Sequence, residues 1–118
     1  MTGSDRGAAT VLALALVHLL LLLGMVGAVI GSMAVTRAGA ATVADLAALA
    51  GAQSWGDPCT DARSVAEANG MATVSCAIDG TDVVVEIAAP TPGVVGRWFA
   101  MIGREPTLVR ASARAGIP

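Results

Sequence analysis

Few residues in this chain could do chemistry. It has one histidine, His18, two cysteines, Cys59 and Cys76, and nine acids against seven arginines, with no lysine. Nucleophilic catalysis needs a nucleophile, a base and an orienting group that converge. His18 stands inside a long uncharged apolar run, so no Ser/His/Asp or Cys/His set can form around it. There is no Cys-x-x-Cys pair, no glycine-rich phosphate loop and no metal-ligand spacing. Asp57, Asp61 and Glu67 stand close together, but they read as a helix cap, a first-turn acid and a solvated face. Glu67 lies four residues after Arg63, the weaker order for a helical ion pair. The expectation is a non-enzyme with no cofactor, no metal and no small-molecule substrate. The chemistry left is oxidation of the two thiols.

Composition points to location. Of 118 residues, 55% are apolar and a further 14 are glycine, while only 14% are charged. Soluble domains carry about a quarter charged residues, so this balance excludes disorder and a solvating acidic protein. A net charge of −2 excludes a basic surface that tracks phosphates, so no nucleic-acid partner is expected.

Residues 7–36 contain no Asp, Glu, Lys or Arg. A bilayer core of about 30 Å needs about 20 apolar helical residues, and this run exceeds that. A retained membrane helix is therefore expected, with lipid as its first partner. The rival is a secretory signal cut near Ala34 or Ala40, where small residues fit a cleavage rule. Arg6 and the free amine, against Asp5, precede the run and Arg37 alone follows it before an acid-leaning stretch, a small bias that favours the N-terminus inside and the body outside. Gly24, Gly27 and Gly31 would let another helix approach closely, although glycine is also common in membrane helices. An ionisable group at this depth is a functional suspect. With no second ionisable residue in 7–36, the simpler reading of His18 is a neutral imidazole bonded to a backbone carbonyl.

Residues 38–53 are rich in Ala and Leu, with no proline or turn cluster before Trp55-Gly56-Asp57-Pro58. One helix over about 8–53 is expected, its outer half burying a stripe of Val43, Leu46 and Ala50. Asp57 and Pro58 can open a second helix, with Cys59, Ala62, Val65, Ala66 and Asn69 on one face and Asn69-Gly70 as its stop.

Residues 72–78 alternate, with Ala72, Val74, Cys76 and Ile78 on the expected inner side. A second strand over 82–89 places Val83, Val85 and Ile87 together. Asp79-Gly80 is a strong hairpin turn and sets Cys76 opposite Val83. A turn at Gly80-Thr81 also matches the sides, but it opposes Asp79 to Asp82, which is unfavourable. The first register is preferred. Residues 94–103, with Arg97, Trp98, Phe99, Met101 and Ile102 followed by Arg104, are either a short helix on the sheet or an apolar finger near lipid or a partner. Residues 107–115 alternate again as a third strand, whose Arg110 and Arg114 can pair with Asp82 and Glu86. A body this small is usually stapled. Cys59 and Cys76 would supply the staple; zinc lacks ligands, and two reduced thiols are the plain alternative. A disulfide implies an oxidising compartment, which agrees with a body outside the cell membrane.

The order Asp5-Arg6-Gly7-Ala8-Ala9-Thr10, an apolar helix, Ala44-Asp45-Leu46-Ala47-Ala48-Leu49-Ala50, Cys59, Asn69-Gly70, Cys76, Gly80-Thr81-Asp82-Val83-Val84-Val85 and Ala113-Arg114-Ala115-Gly116 resembles the actinobacterial TadE/TadG-like proteins of tight-adherence (Flp-type) pilus and secretion clusters. The resemblance implies a minor pilin or pseudopilin, with other pilin subunits and the pilus assembly platform as partners. It also implies a prepilin-peptidase cut between Gly7 and Ala8. Processed members of that family often carry Glu as the fifth mature residue; here the position is Leu12, which fits an unprocessed anchor or a tip subunit.

The expected class is α+β and pilin-like: a long transmembrane helix with an amphipathic continuation, a short helix and a small antiparallel sheet. The expected division is a cytoplasmic tail over 1–6, a membrane helix over 7–36, its continuation over 37–54 and a stapled head over 55–118. The alternatives are a secreted binding protein released by signal peptidase and a bitopic envelope protein without a filament role.

Overall fold

The computed structural model describes residues 3–91, 93–103 and 108–117. In chain order they form α1 (Gly3–Ala52), α2 (Pro58–Ala68), β1 (Ala72–Asp79), β2 (Asp82–Ala89), α3 (Gly93–Met101) and β3 (Val109–Gly116). The strands make one antiparallel sheet in the order β1-β2-β3. The chain divides into two compact units that meet between Ser32 and Met33.

No proline interrupts α1, and it begins at Gly3 rather than at about residue 8, with Asp5 in its first turn. The acid suits the positive end of the helix dipole and extends the helix toward the terminus. The hydroxyls of Thr10, Ser32 and Thr42 donate to the carbonyls of Arg6, Val29 and Ala38. They are therefore satisfied within the helix.

In the 33–118 unit the buried side of α1 is Ala40, Val43, Ala44, Ala47, Ala48, Gly51 and Ala52. This corrects the expected Val43–Leu46–Ala50 stripe. Leu46 and Leu49 are 48% and 50% exposed, and Ala50 is only half-buried. These residues join a core made largely of alanines of α1, α2 and β3 around the aliphatic side chains of β2, where small side chains fit and leucines would overpack.

Gly51 marks the closest approach. A Cβ there would lie 2.9 Å from the Pro58 carbonyl oxygen and 3.1 Å from Val83 Cγ1. Ala exceeds Gly in helix propensity by about 1 kcal/mol, but overpacking costs about 1–3 kcal/mol. Gly51→Ala is expected to destabilise the head by about 1 kcal/mol. Gly39→Ala, with nothing within 4 Å of its Cβ, should stabilise it by a similar amount. Urea titration of the full chain in detergent reads both, and equal signs would refute the close-approach account.

α2 is built by local signals. The Asp57 carboxylate accepts from the Cys59 backbone N–H at 3.2 Å and the Thr60 hydroxyl at 2.6 Å. These two bonds, the Thr60 hydroxyl first, hold its pKa below the ordinary carboxylate value. Pro58 occupies the first turn, where a missing N–H is harmless. The helix stops at Asn69, and Gly70 takes a φ of +71° while Gly70 and Met71 donate back to Glu67 and Ala66.

The sheet departs from the expected pattern twice. β1 carries an irregularity between Thr73 and Ser75 that leaves Val74 unpaired with β2. One extra residue moves every residue before it to the other face. Thr73, opposite Ile87, turns inward in place of Ala72 and Val74, and its hydroxyl is buried without a partner. Cys76, opposite Val85, keeps the inner side. Ile78, opposite Val83, keeps it too but stays exposed on the free edge.

The hairpin adopts the register that charge repulsion argued against. Asp79 faces Asp82, Ile78 faces Val83, and Gly80-Thr81 is the turn. Gly80 has φ +64° and no non-glycine residue has positive φ, the pattern of a type II′ turn with glycine first. The repulsion is answered from β3: Arg114 pairs with Asp82 at 3.2 Å and also with Asp79. Arg110 pairs with Glu86 at 3.4 Å.

β3 spans Val109–Gly116, with Val109, Ala111, Ala113 and Ala115 turned toward the core as expected. The Ile117 N–H extends the ladder to the Thr81 carbonyl at 2.6 Å. Thr107 and Arg104 lie outside the described residues. Between β2 and β3 the chain forms a helix, α3, whose Trp98 and Met101 are exposed, as is Ile102 just past its end.

Candidate functional site

The two cysteines come together from the start of α2 and the middle of β1. A disulfide joins Cys59 to Cys76 with the Cα atoms 5.7 Å apart, closing a separation of 17 residues. It ties a helix whose buried side chains are Ala62 and Ala66 to an edge strand. Among the described residues, nine of the thirteen buried apolar residues are alanines. Such a core removes little apolar area per residue, so the cross-link has a clear structural use.

Further surface features lie on α1. His18 Nδ1 sits 2.8 Å from the Leu14 carbonyl oxygen. A carbonyl only accepts, so Nδ1 carries the proton and is satisfied by its own helix. This is the structural arrangement, and it draws no second residue into a proton relay.

Gly24, Gly27 and Gly31 follow the i, i+3, i+7 rule and share one side of the helix. A Cβ at any of them would meet nothing within 4 Å, so no contact within the chain requires glycine there. On the other side Leu22, Met25, Val26, Val29 and Ile30 line a shallow apolar groove. The segment is therefore flat on one side and ridged on the other. Gly7 and Ala8 lie in the first turns of the same helix and are exposed.

In the second unit, Val35, Leu46 and Leu49 form an exposed aliphatic row. By helical spacing it lies opposite the Ala40–Ala44–Ala47–Gly51 side that meets the sheet. Residue size predicts the wrong face here, because the leucines are the larger apolar residues. The small-residue row 40, 44, 47, 48, 51 was the available signal for the buried side. Gly51 and the double pairing of Arg114 also escaped sequence reasoning, since each depends on how separate elements pack together.

α1 is long and apolar enough to cross a membrane. Residues 7–54 match a family model described as putative Flp pilus-assembly TadE/G-like. The match covers the apolar helix, its extension and its exit, and the head from residue 55 lies beyond it. No curated protein and no solved structure matches the chain. The matched segment and the apolar helix fit a pilus-associated membrane component.

Proposed function

We propose that this chain is a membrane-anchored structural subunit, of the minor pilin or pseudopilin kind, in a tight-adherence (Flp-type) pilus or related secretion machinery. The observation that carries the reading is the exposed Val35–Leu46–Leu49 row on the side of α1 turned away from the sheet. A row of large aliphatic side chains beyond a membrane segment offers a surface that neighbouring helices can cover. A helix that slides from lipid into a bundle of like helices supplies that cover along its whole length. The glycine side allows close approach, and the ridged side can fill a neighbour's groove. A flat side meeting a ridged side is a heterologous contact, which propagates into filaments rather than closing as a dimer.

The N-terminus is cytoplasmic and the head extracytoplasmic in this reading, in keeping with a disulfide that needs an oxidising compartment. The role is structural rather than catalytic. Prepilin peptidase would cut between Gly7 and Ala8. Leu12, in place of the usual Glu, suits an unprocessed anchor or a tip subunit, which need not dock beneath another chain.

A second reading has one observation in its favour. The two units meet between Ser32 and Met33, so a signal-peptidase cut after Ala34 would release a nearly whole head. The mature N-terminus of the protein in purified membranes separates the two. Met1 or Ala8 is expected; Val35 or Ala41 would overturn the anchored reading. Gly27→Cys and Gly31→Cys chains should then cross-link to other pilus subunits in cells that assemble the filament, and an absence of such cross-links counts against the filament role.

A further inference from the structure

We infer that Asn69-Gly70 is a self-modifying site, whose asparagine turns to aspartate or isoaspartate with release of ammonia, and that the Cys59–Cys76 disulfide keeps the site closed. Asn69 is the one asparagine of the chain. Both residues are exposed, and a Cβ at Gly70 would meet nothing within 4 Å. Glycine has no side chain to shield its own nitrogen, and here no neighbour takes the place of one. The reaction is internal. The Gly70 nitrogen gives up its proton and bonds to Asn69 Cγ. The Cγ–Nδ2 bond breaks, and Nδ2 takes up a proton and leaves as ammonia. Water then adds across one ring C–N bond of the imide that remains, its hydroxyl to the carbonyl carbon and its hydrogen to the nitrogen. One opening leaves aspartate; the other routes the main chain through the former side chain as isoaspartate.

Conformation holds this chemistry back. Closing the ring needs Asn69 Cβ and the Gly70 nitrogen on the same side of the Cα–C bond, and a ψ of 13° turns them well apart. Hydrogen bonds maintain that geometry. Asn69 Nδ2 donates to the Val65 carbonyl at 2.8 Å, which keeps the side chain turned back along the helix. The Gly70 N–H, whose proton must be lost, donates to the Glu67 carbonyl at 2.9 Å, and the Met71 N–H donates to the Ala66 carbonyl at 3.0 Å. The acceptors all belong to the last turn of α2, so the site opens only when that turn opens. Asn69 and Gly70 also lie within the 17-residue separation that the disulfide closes. While the thiols are free, the opened segment gains the chain entropy that the cross-link removes. The change is one-way. Either product places a carboxylate at the negative end of the α2 dipole. Isoaspartate also adds a main-chain carbon ahead of Gly70, where the helix stop needs a φ of +71° and the Met71 bond. A head whose thiols join promptly keeps its asparagine, and a head that lingers without the disulfide is marked.

The test incubates the full chain in detergent at mildly alkaline pH and follows the mass of the peptide that holds Asn69. Amide loss is read there directly, whereas isomerisation at Asp79-Gly80 changes no mass. The chain unfolded in urea with reductant sets the upper rate. In buffer the unaltered chain should react about tenfold or more slowly than that. A dithiol reductant, or Cys59→Ser without it, should raise the rate in buffer by about fivefold or more. Ala68→Gly, at an exposed position in the last turn of α2, loosens that turn with the disulfide intact and should raise the rate about threefold. This arm reads the turn even where Cys59→Ser unfolds the head. No mass gain in urea overturns the site. Equal rates in buffer and urea overturn its closure by the fold. A rate unmoved by reductant and by Cys59→Ser overturns the part given to the disulfide, and a rate unmoved by Ala68→Gly overturns the part given to the last turn.

Discussion

Replacing either Cys59 or Cys76 by serine is expected to lower the stability of the head by about 3 kcal/mol, and replacing both by no more than either alone. The size follows from the loop of 17 residues that the bond closes. The equality follows because all three variants remove the same bond. The side chains that α2 buries are two alanines, Ala62 and Ala66, and β1 is an edge strand with an irregular register, so the packing that accompanies the bond removes little apolar area per residue. Pulse proteolysis of the full chain in detergent, across a urea series, reads the head directly. Reductant should bring the unaltered chain to the midpoint of the variants and leave the variants unmoved. Coincident midpoints for all four chains without reductant would remove the bond from the account of stability.

Ile87→Ala should cost about as much, some 3–4 kcal/mol, for a different reason. Ile87, Val83 and Val85 are the largest fully buried side chains, and all three lie on the central strand. Their surroundings are mainly alanines of α1, α2 and β3. An alanine has no rotamer with which to fill a neighbour's void, so the cavity left by Ile87 persists and its full cost is paid. Small domains hold only about 5 kcal/mol at the low end of the usual range, so this one change removes most of the head's stability. Val74→Ala, on the unpaired and exposed residue of β1, should shift the same midpoint by less than about 0.5 kcal/mol. A smaller effect at Ile87 than at Val74 would mean that β2 is not the centre of the core.

The two departures in the hairpin share a cause. Between Asp79 and Asp82 alone, repulsion argues for the other turn, and the local reading is sound as far as it goes. Arg114 lies 35 residues beyond Asp79 and pairs with both acids. An unfavourable pair becomes a three-charge cluster once β3 is in place. These groups are exposed, so each pairing contributes no more than about 1 kcal/mol. That is enough to cancel a repulsion of similar size and to let the glycine-first turn decide the register. At Val74 the alternation of the strand is broken by one residue, and the hydroxyl of Thr73 goes inward in place of the valine.

Local chemistry alone determined the elements. The unbroken apolar run made α1, Asp57-Pro58 and Asn69-Gly70 bounded α2, alternation made β2 and β3, and a lone pair of cysteines in a small body had one partner each. Such signals act over a few residues, through hydrogen bonds and backbone preferences that any surrounding would leave intact. The tertiary structure decided which surfaces meet: the alanine side of α1 over the leucine side, Gly80-Thr81 over Asp79-Gly80, Thr73 over Val74, and an α3 whose tryptophan stays outside. Those choices turn on the shape and charge of segments distant in the chain, such as Val83 against Gly51 and Arg114 against Asp79 and Asp82, so no window of sequence contained both halves of the contact.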